Sequence, residues 1–294
     1  MKNLRITDVR CQKGDSSFLI DAGKTSILYD SGFGFTGFEV ANNIKESLGK
    51  RNLDYIFLTH SHYDHALGSA CILRHFPDAK VVASRYAAEI FQRDGAKRVM
   101  KELDSKFAEK CGVTHYEFFG DELHVDIPVE DGDIISAGDM KFQVIALPGH
   151  TRCSIGFYCE EKKFFLSNET LGVYDGDNTI LPSYLVSYSD SIKSIKKIEG
   201  LDIKHLLSPH LGILSSKQTE FFLNNMKSAA EETARCFVTN MRNGKSADEI
   251  TKSVKDKYWH GYIKDIYPED AINLNTKIMI ELIKKELVYQ EESK

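Results

Sequence analysis

The sequence predicts a mixed α/β main domain followed by a helical extension, on three observations. Short apolar runs rich in β-branched and aromatic residues alternate with helix-period stretches as far as about residue 214. Several of these runs end directly on His, Asp or Glu. That places potential ligands at successive strand ends, as expected where a site sits at the rim of a sheet sandwich. Beyond Ser215 the composition shifts to helix formers with no strand pattern. At 294 residues the chain is long for one core and short for two large domains, so one main domain with an appendage is expected.

In chain order, residues 17–21 and 25–30 read as strands around the hairpin signal Ala22-Gly23-Lys24. Gly32-Phe33-Gly34 then leads into a helix over 37–48, with Gly49 as its stop. Residues 53–58 form a buried strand. Ala66, Leu67, Ala70, Cys71 and Leu73 fit a helix that starts near Asp64 or His65 and runs to Phe76, before Pro77. Residues 80–83 are a further strand, and 84–111 a charged helical stretch, readable as two helices crossing the mouth of the site. From 114 to 139 the pattern is β-rich, with turns at Gly120-Asp121, Asp131-Gly132 and Gly138-Asp139. Residues 141–147, 154–159, 163–167 and 205–208 are strands. Residues 190–199 are a helix with Ile192, Ile195 and Ile198 on its apolar face. In the extension, Phe222, Met226, Ala230, Phe237 and Met241 repeat at helical spacing, and Ser246-Ala247-Asp248-Glu249 is a capping-box start. Pro268 opens a third helix with Ile272, Met279, Ile283 and Leu287 on one face.

The densest chemistry is Thr59-His60-Ser61-His62-Tyr63-Asp64-His65, with three imidazoles and a carboxylate within six residues. Given 10 His in 294 residues, chance yields this spacing in about one such sequence in a thousand. His60 and His62 stand just past the strand over 53–58. In extended backbone, residues i and i+2 point the same way, so both imidazoles can close on one ion. Asp64 and His65 turn away from that pair and can serve a second ion. Such donors suit zinc and also iron or manganese, so ligand type alone does not choose the metal.

His-x-His-x-Asp-His after a strand resembles the signature of the metallo-β-lactamase superfamily. That family adds a His in a Pro-Gly-His-Thr turn, an Asp bridging two metals, a final His after another strand, and an early Asp that orients the site. This chain has Pro148-Gly149-His150-Thr151, Glu169 in Asn168-Glu169-Thr170-Leu171, His210 in Leu207-Ser208-Pro209-His210, and Asp30 in Leu28-Tyr29-Asp30-Ser31-Gly32. One motif departs, because the family's Gly-Asp pair is here Asn168-Glu169. The resemblance implies a four-layer αββα sandwich over residues 1–214 and a C-terminal helical extension over 215–294 that packs over the active site. It also implies that His60, His62 and His150 hold one ion, that Asp64, His65 and His210 hold another, that Glu169 bridges them, and that Asp30 supports the ligands from behind. Within the family, the layout is similar to the quinolone-signalling thioesterase branch. Glu169 reaches about 1.5 Å farther than an Asp, which fits a folded side chain bonding through one oxygen or, alternatively, a side chain that swings into the pocket as a proton-transfer group. Asn168 tolerates the left-handed backbone that a Gly position can require.

Taken singly, His150 or His210 would be a loop or core histidine; their strand-end, Pro-containing turns favour ligands. His75, His115, His124, His205 and His260 lack such context and read as structural or surface residues. Tyr63 faces substrate or packs, and Cys153 reads as a core thiol. The six cysteines show no C-x-x-C and no regular framework, as in a reduced cytoplasmic protein. A net charge of -5 argues against a nucleic-acid partner. No apolar run has signal-peptide or membrane-spanning length, so no membrane partner is expected.

The implied activity is hydrolysis of a small-molecule acyl substrate, a thioester, lactone or other ester. Two divalent transition-metal ions, zinc first with iron or manganese as alternatives, would supply a hydroxide, and Asp64 would orient it and pass on its proton. The alternatives are a phosphodiesterase, disfavoured by the lack of a basic stripe, and a metal-stabilised ligand-binding or regulatory protein with weak turnover. The sequence leaves the oligomeric state open.

Overall fold

The apolar runs around Leu19, Leu28, Ile56 and Val82 carry too little polar surface to face water on either side, and all four residues are fully buried. In the computed structural model, which describes residues 4–289, the chain divides into two compact units. One runs through Ala146 and includes Ile155–Leu166; the other comprises Leu147–Ser154 and the chain from Ser167 onward. Residues 1–3 and 290–294 lie outside the described residues.

In the first unit, β1 (Arg5–Asp8), β2 (Phe18–Asp21), β3 (Ser26–Tyr29), β4 (Tyr55–Phe57), β5 (Lys80–Ser84) and β6 (Ile127–Val129) make one sheet in sequence order. Pairing is antiparallel from β1 to β3 and parallel from β3 to β6. Parallel neighbours need crossovers. These are α1 (Gly37–Leu48), then α2 (Tyr63–Ala66) with α3 (Gly68–His75), then α4 (Arg85–Phe91) with α5 (Asp94–Lys110). β7 (Ile134–Ala137), β8 (Met140–Ala146), β9 (Ile155–Cys159) and β10 (Phe164–Leu166) follow as an antiparallel meander. The two sets of strands meet at Phe57, whose ring centroid lies 4.6 Å from that of Phe157 and 5.4 Å from that of Phe142. Ligands of open α/β sheets bind beyond the carboxyl ends of parallel strands, and here those ends carry Asp30 after β3 and the His-rich run after β4.

Two local expectations change. The helix after the His-rich run begins at Tyr63 and is broken at Leu67, because the segment after β3 takes over its hydrogen bonds. The Ser31 N–H and hydroxyl both donate to the His65 carbonyl, at 2.7 and 2.9 Å, and the Gly68 N–H donates to the Gly32 carbonyl at 3.0 Å. A side chain at Gly68 would place its Cβ 1.9 Å from the Ser31 oxygen, so the break requires glycine. Residues 114–126 hold a short 3₁₀ turn, Gly120–Glu122, and no strand. Their aromatic residues anchor the loop instead, Tyr116 against Phe35 and Phe119 edge-on to Phe38.

The second unit contains the hairpins β11 (Val173–Tyr174) with β12 (Ile180–Leu181) and β13 (His205–Ser208) with β14 (Gly212–Ile213). Its helices are α6 (Tyr188–Glu199), α7 (Ser216–Arg242), α8 (Ala247–Tyr258), α9 (Gly261–Ile266) and α10 (Glu269–Ile283). Ser215 and Ser246 each close a capping box, with Gln218 and Glu249. Phe222, Met226, Ala230 and Phe237 are buried along α7, as are Ile272, Met279 and Ile283 along α10. Leu287 leaves the buried stripe because residues 284–288 adopt the wider π-helical turn, which shifts the period. Helix α9 was not expected, since six residues are too few to show a helical period. Among the described residues no disulfide joins the six cysteines, and no helix is long and apolar enough to cross a membrane.

The Gly-rich loop after β3 rests on two buried carboxyls that no motif singles out. Asp15 accepts from the Ser17 and Thr36 hydroxyls at 2.9 and 3.2 Å, and Asp104 accepts from the Gly34 N–H at 2.9 Å and the Tyr116 hydroxyl at 2.6 Å. Burial pushes both acids up to about 6 from 3.8; Asp64 adds a like charge at Asp104. An acid whose folded pKa is raised stabilises the fold fully below its unfolded pKa, and that contribution is lost as pH rises through about 6. The loss is on the order of 2–3 kcal/mol per group. Asp104→Asn should therefore lose less stability than the natural chain between about pH 4 and about pH 7. Paired urea titrations of the metal-free proteins measure this, and equal losses would refute it.

Candidate metal centre

In the first unit, β4 delivers Thr59 and His60, both fully buried, to the carboxyl end of the sheet. His62 is extended, with φ -70° and ψ 151°, and precedes α2, whose first turn carries Asp64 and His65. The ring centroids of His60 and His62 lie 4.6 Å apart, and those of His60 and His65 lie 4.1 Å apart. Asp64 Oδ2 is 3.6 Å from His65 Nε2. Within this unit, His60 and His62 offer ligand atoms within 4.8 Å of each other, and so do Asp64 and His65.

Asp30 holds this cluster from behind. It is fully buried and adopts left-handed backbone, with φ 52°. Its carboxylate accepts from the Ser16 hydroxyl at 3.0 Å, the Thr59 N–H at 2.8 Å, the Thr59 hydroxyl at 3.0 Å and His65 Nδ1 at 2.8 Å. A carboxylate only accepts, so His65 carries its proton on Nδ1 and presents the Nε2 lone pair. The Thr59 hydroxyl gives its single proton to Asp30 and therefore accepts from His60 Nδ1, 3.0 Å away. His60 thus also presents Nε2. One carboxylate fixes the tautomer and orientation of two imidazoles.

The second unit presents a matching set. Pro148-Gly149 turns the chain so that His150 Nδ1 lies 2.8 Å from the Ser183 carbonyl. A carbonyl cannot donate, so Nδ1 carries the proton and Nε2 a lone pair. Nε2 faces Glu169 Oε2 at 3.0 Å, an approach that needs a proton or a metal ion between the two atoms. His210 Nε2 lies 3.3 Å from Glu169 Oε1. Imidazole lone pairs set by protein acceptors, together with carboxylate oxygens, are the donors that a divalent transition metal takes, so these residues fit such an ion.

The turn around Glu169 is kept by a different device from the one expected. Asn168 is extended, with φ -148°, and its side-chain oxygen accepts from the Thr170 N–H at 2.9 Å, starting the 3₁₀ turn Glu169–Leu171. The Thr170 hydroxyl donates to the Leu147 carbonyl at 2.7 Å and accepts from the His150 N–H at 3.3 Å, which joins the two ligand turns. Left-handed backbone occurs instead at His210, with φ 63°. Two tyrosines from the helical region reach these ligands. The Tyr262 hydroxyl donates to the His210 carbonyl, and the Tyr267 hydroxyl donates to Glu169 Oε1.

Elsewhere, Tyr63 packs on Phe33 with centroids 5.7 Å apart, and Cys153 is buried beside the Thr151 hydroxyl. Sequence reasoning missed Ser183, Tyr262 and Tyr267, none of which lies in a motif. Thr59 was legible in principle, as the hydroxyl residue directly before the first ligand.

Asp30→Asn puts an amide donor where donors already converge. The variant is expected to bind metal about 10–100-fold more weakly, read by competition with a chromophoric chelator. Unchanged affinity would show that the imidazoles need no such support.

The sequence matches the family model described as the metallo-beta-lactamase superfamily over residues 14–210, more than half of the chain. A metallo-beta-lactamase fold-containing protein of Sulfurisphaera tokodaii is 26% identical over 214 residues, covering 71% of this chain and 77% of that protein. The acyl-coenzyme A thioesterase MBLAC2 of Gallus gallus is 32% identical over 120 residues, covering 40% of this chain and only 41% of that protein. Hydroxyacylglutathione hydrolase GloC of Haemophilus influenzae is 24% identical, covering 58% of this chain and 72% of its own length. Among solved structures, a metallo-beta-lactamase family protein of Thermus thermophilus aligns with a TM-score of 0.64 at 16% identity, over 100% of this chain and 95% of that one. The shared fold is mixed α/β, with two sheets, helices and a C-terminal helical region. By its family match, its fold and its clusters of His, Asp and Glu, the chain belongs to the metallo-β-lactamase superfamily of metal-dependent hydrolases.

Proposed function

We propose that this protein is a dinuclear metal hydrolase that cleaves a small acyl thioester. The observation that carries the metal reading is the facing of His150 Nε2 and Glu169 Oε2 at 3.0 Å while His150 Nδ1 is committed to Ser183. His60, His62 and His150 would hold one ion, Asp64, His65 and His210 the other, and Glu169 would serve both or one. Zinc suits these donors, as do iron and manganese. When bound, the ions supply Lewis acidity and a water made nucleophilic at neutral pH.

The remaining chemistry belongs to the chain. Asp64 is half-buried at the start of α2, and its carboxylate receives the proton of the attacking water and returns it to the leaving group. Asp30, through Thr59 and directly, keeps the imidazoles of His60 and His65 in their ligating tautomer. Ser183 does the same for His150. The thioester reading draws on two relatives, named as an acyl-coenzyme A thioesterase and a hydroxyacylglutathione hydrolase, whose substrates share that bond. An extension over 215–294 that packs against the ligand turns is supported by the bonds of Tyr262 and Tyr267 to the His210 carbonyl and to Glu169; a boundary at residue 214 is not, because the second compact unit runs from Ser167 through those helices. A cytoplasmic setting accords with six cysteines and no disulfide.

The test is a substrate panel at equal concentration: acyl-coenzyme A and acylglutathione thioesters, a lactone, a β-lactam and a chromogenic phosphodiester. Thioesters are expected to turn over fastest. Activity should vanish on chelation and return with zinc, iron or manganese. Turnover of the phosphodiester alone would replace this reading with a phosphodiesterase, and metal binding without any turnover would favour a ligand-binding role.

A further inference from the structure

Helix α9 spans six residues, Gly261–Ile266, too few to be stable by its own hydrogen bonds. Its position is fixed by its surroundings. Ile263 and Ile266 are buried, and the Trp259 indole N–H donates to the Tyr267 carbonyl at 2.8 Å. Pro268 follows and restricts the backbone of Tyr267 to extended conformations, in which φ is -110° and ψ 112°. The phenol of Tyr267 is therefore delivered to one place, Oε1 of Glu169.

This contact makes the two oxygens of Glu169 unequal. Oε1 receives the phenol proton and lies 3.3 Å from His210 Nε2, whereas Oε2 faces the His150 lone pair at 3.0 Å. A hydrogen bond from a neutral donor occupies a lone-pair direction of Oε1 and draws charge from it, so Oε2 is left as the stronger donor to a cation. The longer reach of Glu over Asp lets the carboxylate meet Tyr267 on one side and His150 on the other.

We infer that Tyr267 is a positioning residue of the metal centre, holding Glu169 as a one-sided ligand toward the His150 ion and tying the order of α9 to metal occupancy. This rests on the metal reading above. The coupling is reciprocal: if the phenol strengthens the binding of one ion, that ion strengthens the seating of the phenol and of the helix behind it. Tyr267→Phe removes only the hydroxyl. The bond from Trp259 uses the backbone carbonyl and survives, so the helix keeps its anchor.

The experiment uses the full chain, stripped of metal and titrated with zinc against a chromophoric chelator, as natural protein and as Tyr267→Phe. Amide hydrogen exchange over residues 261–266 is followed with and without zinc. In the natural chain two ions bind and zinc slows exchange in α9. In Tyr267→Phe one of the two binding steps weakens by about 10–100-fold while the other holds, and zinc slows exchange in α9 less. A general loosening would weaken both steps, so a shift in both overturns the proposal. Identical titrations, or exchange in α9 that zinc leaves unchanged in the natural chain, also overturn it while leaving the hydrolase reading intact. A natural chain that takes up no zinc, iron or manganese overturns the metal reading and this proposal together.

Discussion

The Asp30 carboxylate is the interaction on which the first unit's chemistry depends. A buried anion without donors would cost several kcal/mol, and here donors arrive from Ser16, Thr59 and His65, segments that meet only when β2, β3 and β4 pair. The sheet thus assembles the donor cage, and the cage in turn orients the imidazoles. The left-handed backbone at Asp30 is part of the same arrangement, because it turns the chain after β3 so that Ser31 reaches the His65 carbonyl. One strained residue therefore both aims a carboxylate and breaks the following helix.

The second unit solves the same problem with neutral partners. The Ser183 carbonyl sets the His150 tautomer, the Thr170 hydroxyl joins the two ligand turns, and Tyr267 presses on Glu169. None of these groups carries charge. Glu169 is consequently the one anionic donor among this unit's three candidate ligands, His150, Glu169 and His210.

Most strands and helices were legible because burial imposes a period on the sequence, as at Phe222, Met226 and Ala230, and the candidate ligands stood out because they are rare residue types at strand ends. What could not be read was set by distance along the chain. Tyr267 meets Glu169 across 98 positions and Asp104 meets Gly34 across 70, and no local pattern encodes either contact. The β-rich composition around Tyr116 and Phe119 misleads for a related reason, since tertiary packing of single aromatic residues overrides strand propensity. At Asn168 a Gly-to-Asn replacement suggests tolerance of a left-handed turn, yet the side chain acts as a cap, a role open to the same residue type.

The contact between Tyr267 and Glu169 also orders events in time. A ribosome makes the chain from its amino end, so His60 through His65, Asp30 and their sheet emerge long before α9 exists. Glu169 is made 98 residues ahead of the phenol that later bears on it. A nascent chain can therefore fold its first ligand cluster and even expose all seven candidate donors while still lacking the group that makes the two oxygens of Glu169 differ. The two oxygens of Glu169 become unequal only once the helices that carry Tyr267 have formed.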